Sequence, residues 1–168
     1  MPRLAGQQPK YIENQLRAFA ERRRVSPEAR ERERTGGPEG IMFNVSHVLS
    51  PPVFAALAAH LKALDPPPLG GAPKDQLSLG KKIYEDGLPE TNVPACSACH
   101  GPEAKGREEI PRLAGQVFPY TVQELRYWSK ERGQGAANDD VSAIMIPTTH
   151  NLTPSQIAAL AAYLAYLK

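Results

Sequence analysis

The chain has 168 residues with 20 basic against 18 acidic side chains, a near balance that argues against a dedicated nucleic-acid binder. No apolar run approaches the roughly 18 residues needed to span a bilayer. Met1-Pro2-Arg3-Leu4-Ala5-Gly6 carries one charge and no hydrophobic stretch after it, so it does not read as a signal peptide.

Ala, Leu, Glu and Arg are abundant, β-branched runs are scarce, and 17 prolines cluster between apolar runs. This composition predicts short helices joined by long loops, an all-α chain. In chain order, residues 9–24 carry Tyr11, Ile12, Leu16 and Phe19 on one helical face. Residues 25–40, rich in Arg, Glu, Gly and Pro, read as a solvated loop, with a basic docking surface as the sharper alternative. Ser50 is expected to cap a helix from Pro51 to about Leu64. The segment from Pro66 to Pro73 is a linker by composition, kept extended by its prolines.

A helix follows from about Leu77 to Asp86 and stops at Gly87. Cys96-Ser97-Ala98-Cys99-His100 comes next, then a long loop through Gly115. Residues 119–132 form another helix, with Tyr120, Leu125 and Trp128. A loop with Gly133, Gly135 and Asn138 leads to Met145. Thr153 caps the last helix, which has Pro154 in its first turn and Ile157, Leu160, Ala161, Leu164 and Leu167 on its apolar face.

Cys96 and Cys99 are the only cysteines, and His100 follows the second directly. That spacing is the attachment signature of a c-type haem: each thiol can form a thioether to a vinyl group, and the imidazole can reach the iron from one side. One haem c is therefore expected in this chain, with Cys96, Cys99, His100 and a distant sixth ligand binding it. Met145 is the candidate for that ligand. It is the only methionine of the second half, it lies just before the last helix with Pro147 nearby, and its soft thioether suits iron(II). His150, five residues on, is the rival. A redox dithiol would need a βαβ context, and zinc would need four ligands; neither pattern is present. With both axial positions filled, the iron offers no open site for a substrate, so the chain is expected to carry electrons and not to be an enzyme.

The sequence also repeats. Pro2-Arg3-Leu4-Ala5-Gly6-Gln7 recurs as Pro111-Arg112-Leu113-Ala114-Gly115-Gln116, and Tyr11, Leu16-Arg17 and Phe19 match Tyr120, Leu125-Arg126 and Trp128 at the same offset of 109. At an offset of 103, Ile41-Met42, His47 and Leu49 match Ile144-Met145, His150 and Leu152, and Ala55-Ala56-Leu57-Ala58-Ala59 matches residues 158–162. The chain thus reads as a tandem duplication. Its expected parts are a first domain over 1–65 lacking its first helix and CxxCH, a Pro/Gly-rich linker over 66–76, and a haem-binding domain over 77–168. Two accounts of the missing motif remain. In the simpler, the natural N-terminus is absent, and with it a signal peptide, a first helix and a first CxxCH. In the other, the first copy has lost its haem. The helix over 53–64 lacks the helix that should cross it. Its apolar face should then be exposed, or covered by the second half or a partner.

On these residues the second half resembles a class I cytochrome c: CxxCH, then Pro-x-Leu-x-Gly, then a ligand methionine before a C-terminal helix. The tandem arrangement resembles the dihaem cytochrome c4 family over nearly the whole chain, with the first haem motif missing. The resemblance implies that the Pro111 carbonyl accepts a hydrogen bond from the far nitrogen of His100. It implies that Gly80 lets the first helix approach the last near Tyr163, and that Tyr120, Leu125 and Trp128 wall the haem pocket. It implies a periplasmic carrier of single electrons in a bacterial respiratory chain, with a respiratory complex, oxidase or dehydrogenase as redox partner, and membrane association only through such a partner. The alternative is a cytochrome subunit of a larger dehydrogenase or oxidase complex.

Overall fold

Prolines open, and glycines close, several of the helices. The computed structural model describes residues 1–24, 31, 40–65, 67–131 and 141–168. Residues 25–40 (save Glu31 and Gly40) and the loop with Gly133, Gly135 and Asn138 lie outside the described residues. The helices are α1 Pro9–Ala20, α2 Ile41–Ser46, α3 Pro51–Ala63, α4 Leu77–Asp86, α5 Ser97–His100, α6 Phe118–Glu131, α7 Met145–His150 and α8 Pro154–Tyr166. Among the described residues there is no strand, only the isolated bridges Leu88–Val93 and Arg107–Ile110. No described helix is long and apolar enough to cross a membrane.

Three local readings differ from the sequence expectation. Helix α1 stops at Ala20 rather than 24, because Arg22 turns to φ +57° and the N–H groups of Arg23 and Arg24 fold back onto the Ala18 carbonyl at 2.8 and 3.1 Å. Ser50 occupies the N-cap of α3 without a side-chain capping bond. Thr153 does cap α8, in a reciprocal box with Gln156. Met145 is the first residue of the short helix α7, not part of a loop.

Among the described residues, a buried apolar cluster fills the second half. Helix α4 crosses α8 at Gly80, where a Cβ would sit 2.1 Å from the Ala159 carbonyl oxygen and 2.8 Å from the Tyr163 Cβ. Ile83 and Tyr84 from α4 pack there with Leu88, Val93, Ile157, Leu160 and Leu164. Helix α6 packs on another side of α8, and α1 packs on α2 and α3. Ala72 of the linker packs on α8 and accepts a hydrogen bond from the Tyr166 hydroxyl at 2.6 Å.

The repeat is structural as well. Helices α1, α2 and α3 correspond to α6, α7 and α8 in order. Gly6 N–H donates to the Leu61 carbonyl at 2.8 Å, and Gly115 N–H to Leu164 at 2.9 Å, the same bond in each copy. Nothing among the described residues crosses α3 as α4 crosses α8. Val53, Leu57 and Leu64 of that face are 39–40% exposed, whereas Leu160, the counterpart of Leu57, is 3% exposed.

The two repeat loops face each other. The Gln7 side chain accepts from Arg112 N–H at 2.6 Å and donates to the Arg112 carbonyl at 3.0 Å. Gln116 accepts from Arg3 N–H at 2.6 Å and donates to the Arg3 carbonyl at 3.2 Å. Beside them, Arg24 of the first half meets Glu124 of α6 at 3.3 Å, with both side chains largely buried.

Candidate functional site

The cysteine segment is placed by the end of α4. Gly87, at φ +73°, turns the chain out of the helix, and a 3-10 turn at Pro89–Thr91 closed by the Leu88–Val93 bridge brings it back to Cys96. Cys96 is half-buried, with Sγ 4.0 Å from the Ile83 carbonyl oxygen, and Cys99 is exposed. Burial pushes the Cys96 thiol up to about 11. A thiol so held is protonated near neutral pH, the reverse of the activated thiolate that a redox dithiol needs.

His100 closes the single turn of α5 and is buried. Its Nδ1 lies 2.9 Å from the Pro111 carbonyl oxygen. A carbonyl only accepts, so Nδ1 carries the proton and Nε2 keeps its lone pair. Burial lowers the pKa of His100, with the Pro111 bond opposing it. The outcome is a neutral imidazole with one nitrogen free to bind a metal.

The loop from 101 to 115 holds Pro111 at that distance. The Tyr84 hydroxyl donates to the Gly101 carbonyl, and Gly106 N–H donates to the His100 carbonyl at 2.9 Å. The Ala104 carbonyl accepts from both Leu113 and Ala114 N–H, at 2.7 and 2.9 Å. Gly106 has φ +64°, and a Cβ there would lie 2.5 Å from the Pro111 carbonyl oxygen. The loop can therefore close on Pro111 only with glycine at this position.

Arg112 is buried, and its Nε donates to the Ala114 carbonyl at 3.1 Å. Its Nη2 is buried with no hydrogen-bond partner among the described residues. Arg3 stands close by: burial, and next the Arg112 guanidinium, lower its pKa. Two guanidinium groups thus meet in one partly buried corner, with the Asp65 carboxylate acting on Arg3 in the opposite sense.

On α6, Leu125 and Trp128 line a cleft of about 240 Å³ with Thr149, His150, Leu152 and Ile157. Tyr120 does not line it; its hydroxyl accepts from Arg24 at 3.3 Å. The Trp128 indole donates to the Ser142 carbonyl at 2.9 Å, which ties α6 to the segment leading into Met145. Met145 is half-buried, and its own carbonyl accepts from the Thr149 hydroxyl at 3.0 Å. His150 is exposed at the rim of the cleft, whereas Met145 is not part of that lining. Gln7, Gly106 and Arg112 are the residues that the motif reading passed over. For Gln7 and Arg112 the available signal was their place in the repeated six-residue block.

Known proteins resemble this chain in sequence and fold. The family profile described as cytochrome c matches residues 77–168. Cytochrome c-552 of Acidithiobacillus ferridurans is 32% identical over 99% of this chain, which spans 66% of that relative's length. The solved structure of cytochrome c4 from Acidithiobacillus ferrooxidans superposes with a TM-score of 0.82 at 32% identity, covering 99% of this chain and 88% of that one. The thiosulfate dehydrogenase TsdBA of Marichromatium purpuratum superposes with a TM-score of 0.79 at 32% identity, over 99% of this chain and 33% of that one.

Proposed function

The chain belongs to the cytochrome c family, and from that premise we propose that it is an electron-transfer protein of a bacterial periplasm, passing single electrons between respiratory or dehydrogenase partners. The family's group is haem c, whose iron takes up and gives back one electron. The residues present fit it. Cys96 and Cys99 supply two thiols within one turn, and His100 offers a neutral Nε2. The orphaned Nη2 of Arg112 is a buried donor suited to the acid side chains that haem carries.

The observation that carries the reading is the buried His100 with Nδ1 committed to Pro111, in a chain whose only two cysteines precede it at the attachment spacing. Pro111 orients the imidazole and sets its basicity. Leu125 and Trp128 give α6 an apolar wall on its cleft, and the Trp128 bond to Ser142 steadies the approach to Met145. Met145 is the sixth ligand in this proposal; its half-buried thioether favours it over the exposed His150. The likeness to TsdBA supports a second reading, a cytochrome part of a larger dehydrogenase, with any substrate chemistry in the remainder of the complex.

The test is expression in a host able to attach c-type haem. Sharp α and β bands in the reduced protein that survive acid-acetone extraction are expected; their absence would sink the reading. Met145→Ala should abolish the weak far-red band of methionine–iron(III) ligation, and retention of that band would remove Met145 as ligand. Co-purification of a stoichiometric dehydrogenase would favour the second reading over a free carrier.

A further inference from the structure

We propose that Gln7, from the first half of the chain, is a positioning residue for the iron ligand of the second half. The path is a chain of bonds through one peptide unit. The Arg112 N–H and the Pro111 carbonyl belong to the same amide. Gln7 Oε1 accepts from that N–H at 2.6 Å, and the carbonyl accepts from His100 Nδ1–H at 2.9 Å. Gln7 Nε2 donates to the next carbonyl, that of Arg112, at 3.0 Å, so the side chain grips the backbone at both its polar groups. Gln7 Oε1 also accepts from Gln8 N–H at 2.9 Å, which fixes the amide's orientation. Gln7 is only 4% exposed.

An amide whose N–H is already bonded has a more negative carbonyl oxygen, and bonds in series strengthen one another by roughly 10–30% each. Gln7 therefore deepens the pull of Pro111 on the imidazole proton. The imidazole gains anionic character, and an electron-richer ligand favours iron(III) over iron(II). The inference rests on the reading of His100 as the iron ligand.

The repeat supplies its own control. Gln116 makes the mirror pair of bonds on Arg3, whose amide includes the Pro2 carbonyl, and no histidine of this chain is bonded there. Gln116→Met and Gln7→Met remove the same number of bonds from the junction at nearly constant volume, but only Gln7→Met frees the amide that His100 uses.

Potentiometric titration and NMR of the reduced holoprotein test this. Gln7→Met should favour reduction about threefold, about 28 mV at 59 mV per tenfold for one electron, and move the His100 Nδ1–H resonance upfield. Gln116→Met should move neither. Gln7→Glu keeps an acceptor oxygen and should hold the resonance at or downfield of its parent position; it decides the matter if Gln7→Met does not fold. Equal shifts in both Met variants, or a silent Gln7→Met in a haem-loaded protein, would overturn the inference alone. A parent protein without covalent haem would overturn the functional reading and the inference with it.

Discussion

Tyr84 has no exposed surface, and its hydroxyl is committed to the Gly101 carbonyl one residue after His100. Burial first, and the neighbouring Cys96 and Tyr163 next, raise its pKa well above the usual phenol value. Tyr163, against which it packs at 5.8 Å, is raised as well, mainly by burial. Unfolded tyrosine loses its proton near pH ~10. Above that pH the unfolded chain binds fewer protons than the folded one, so stability falls as pH rises. The contribution is complete below about pH 10 and is lost through the folded-state pKa. Urea midpoints between about pH 8 and 11.5 should therefore decline with pH. Tyr84→Phe should show a shallower decline, and an unchanged slope would refute the assignment. At this scale the sequence is uneven as a guide. CxxCH points to His100 on its own residues, because the pattern lies within five positions. Gln7 could not be found that way. Its partner is a backbone amide 105 positions distant, and a glutamine in a loop has no pattern that announces what it will hold.

Among the helices, the crossing of α4 over α8 carries the core and positions the cysteine segment beyond Gly87. Gly80→Ala would drive a methyl into the Ala159 carbonyl, which is backbone and cannot swing away. The helices must separate, and the cost should be about 2–3 kcal/mol, read as a lowered urea midpoint. Ala in place of the exposed Ser78 on the same helix should change little, and equal effects would mean that the crossing is not the tight point. Periodicity gave the helices well, with α4 and α8 close to their expected bounds, because each has an apolar stripe and a proline or glycine at its ends. It failed at the end of α1, where no glycine or proline marks the turn at Arg22. The Ser50 reading held for the position of the cap and not for its side-chain bond; only Thr153 has a glutamine three positions on to complete the box.

Across the whole molecule, polar contacts among the described residues join the halves. Besides the two glutamine grips, Arg24 reaches Gln15, Tyr120 and Glu124 together, and the turn after α1 exists to place it there. Glu124→Ala leaves a largely buried guanidinium short of its counter-charge. It should cost about 2 kcal/mol, seen in calorimetry as a drop of about 4–8 °C. A melting point within a degree of the parent would place the stability of the junction elsewhere. The duplication was legible from sequence because the matched stretches are long and keep their offsets. How the copies face each other was not, since an offset has no direction in space. The face of α3 that lacks a crossing helix lies on the far side of that comparison: the same alanine-rich stripe is core in α8 and surface in α3.

The crossed glutamine grips have one more consequence. Each loop must keep its own shape and also present its backbone to the other's side chain, the mutual logic of an isologous contact within a single chain. A change of shape in either loop spoils two grips at once. Such a junction ties the divergence of one copy to that of the other, and the longest unbroken identity between the halves, Pro-Arg-Leu-Ala-Gly-Gln, falls on these loops.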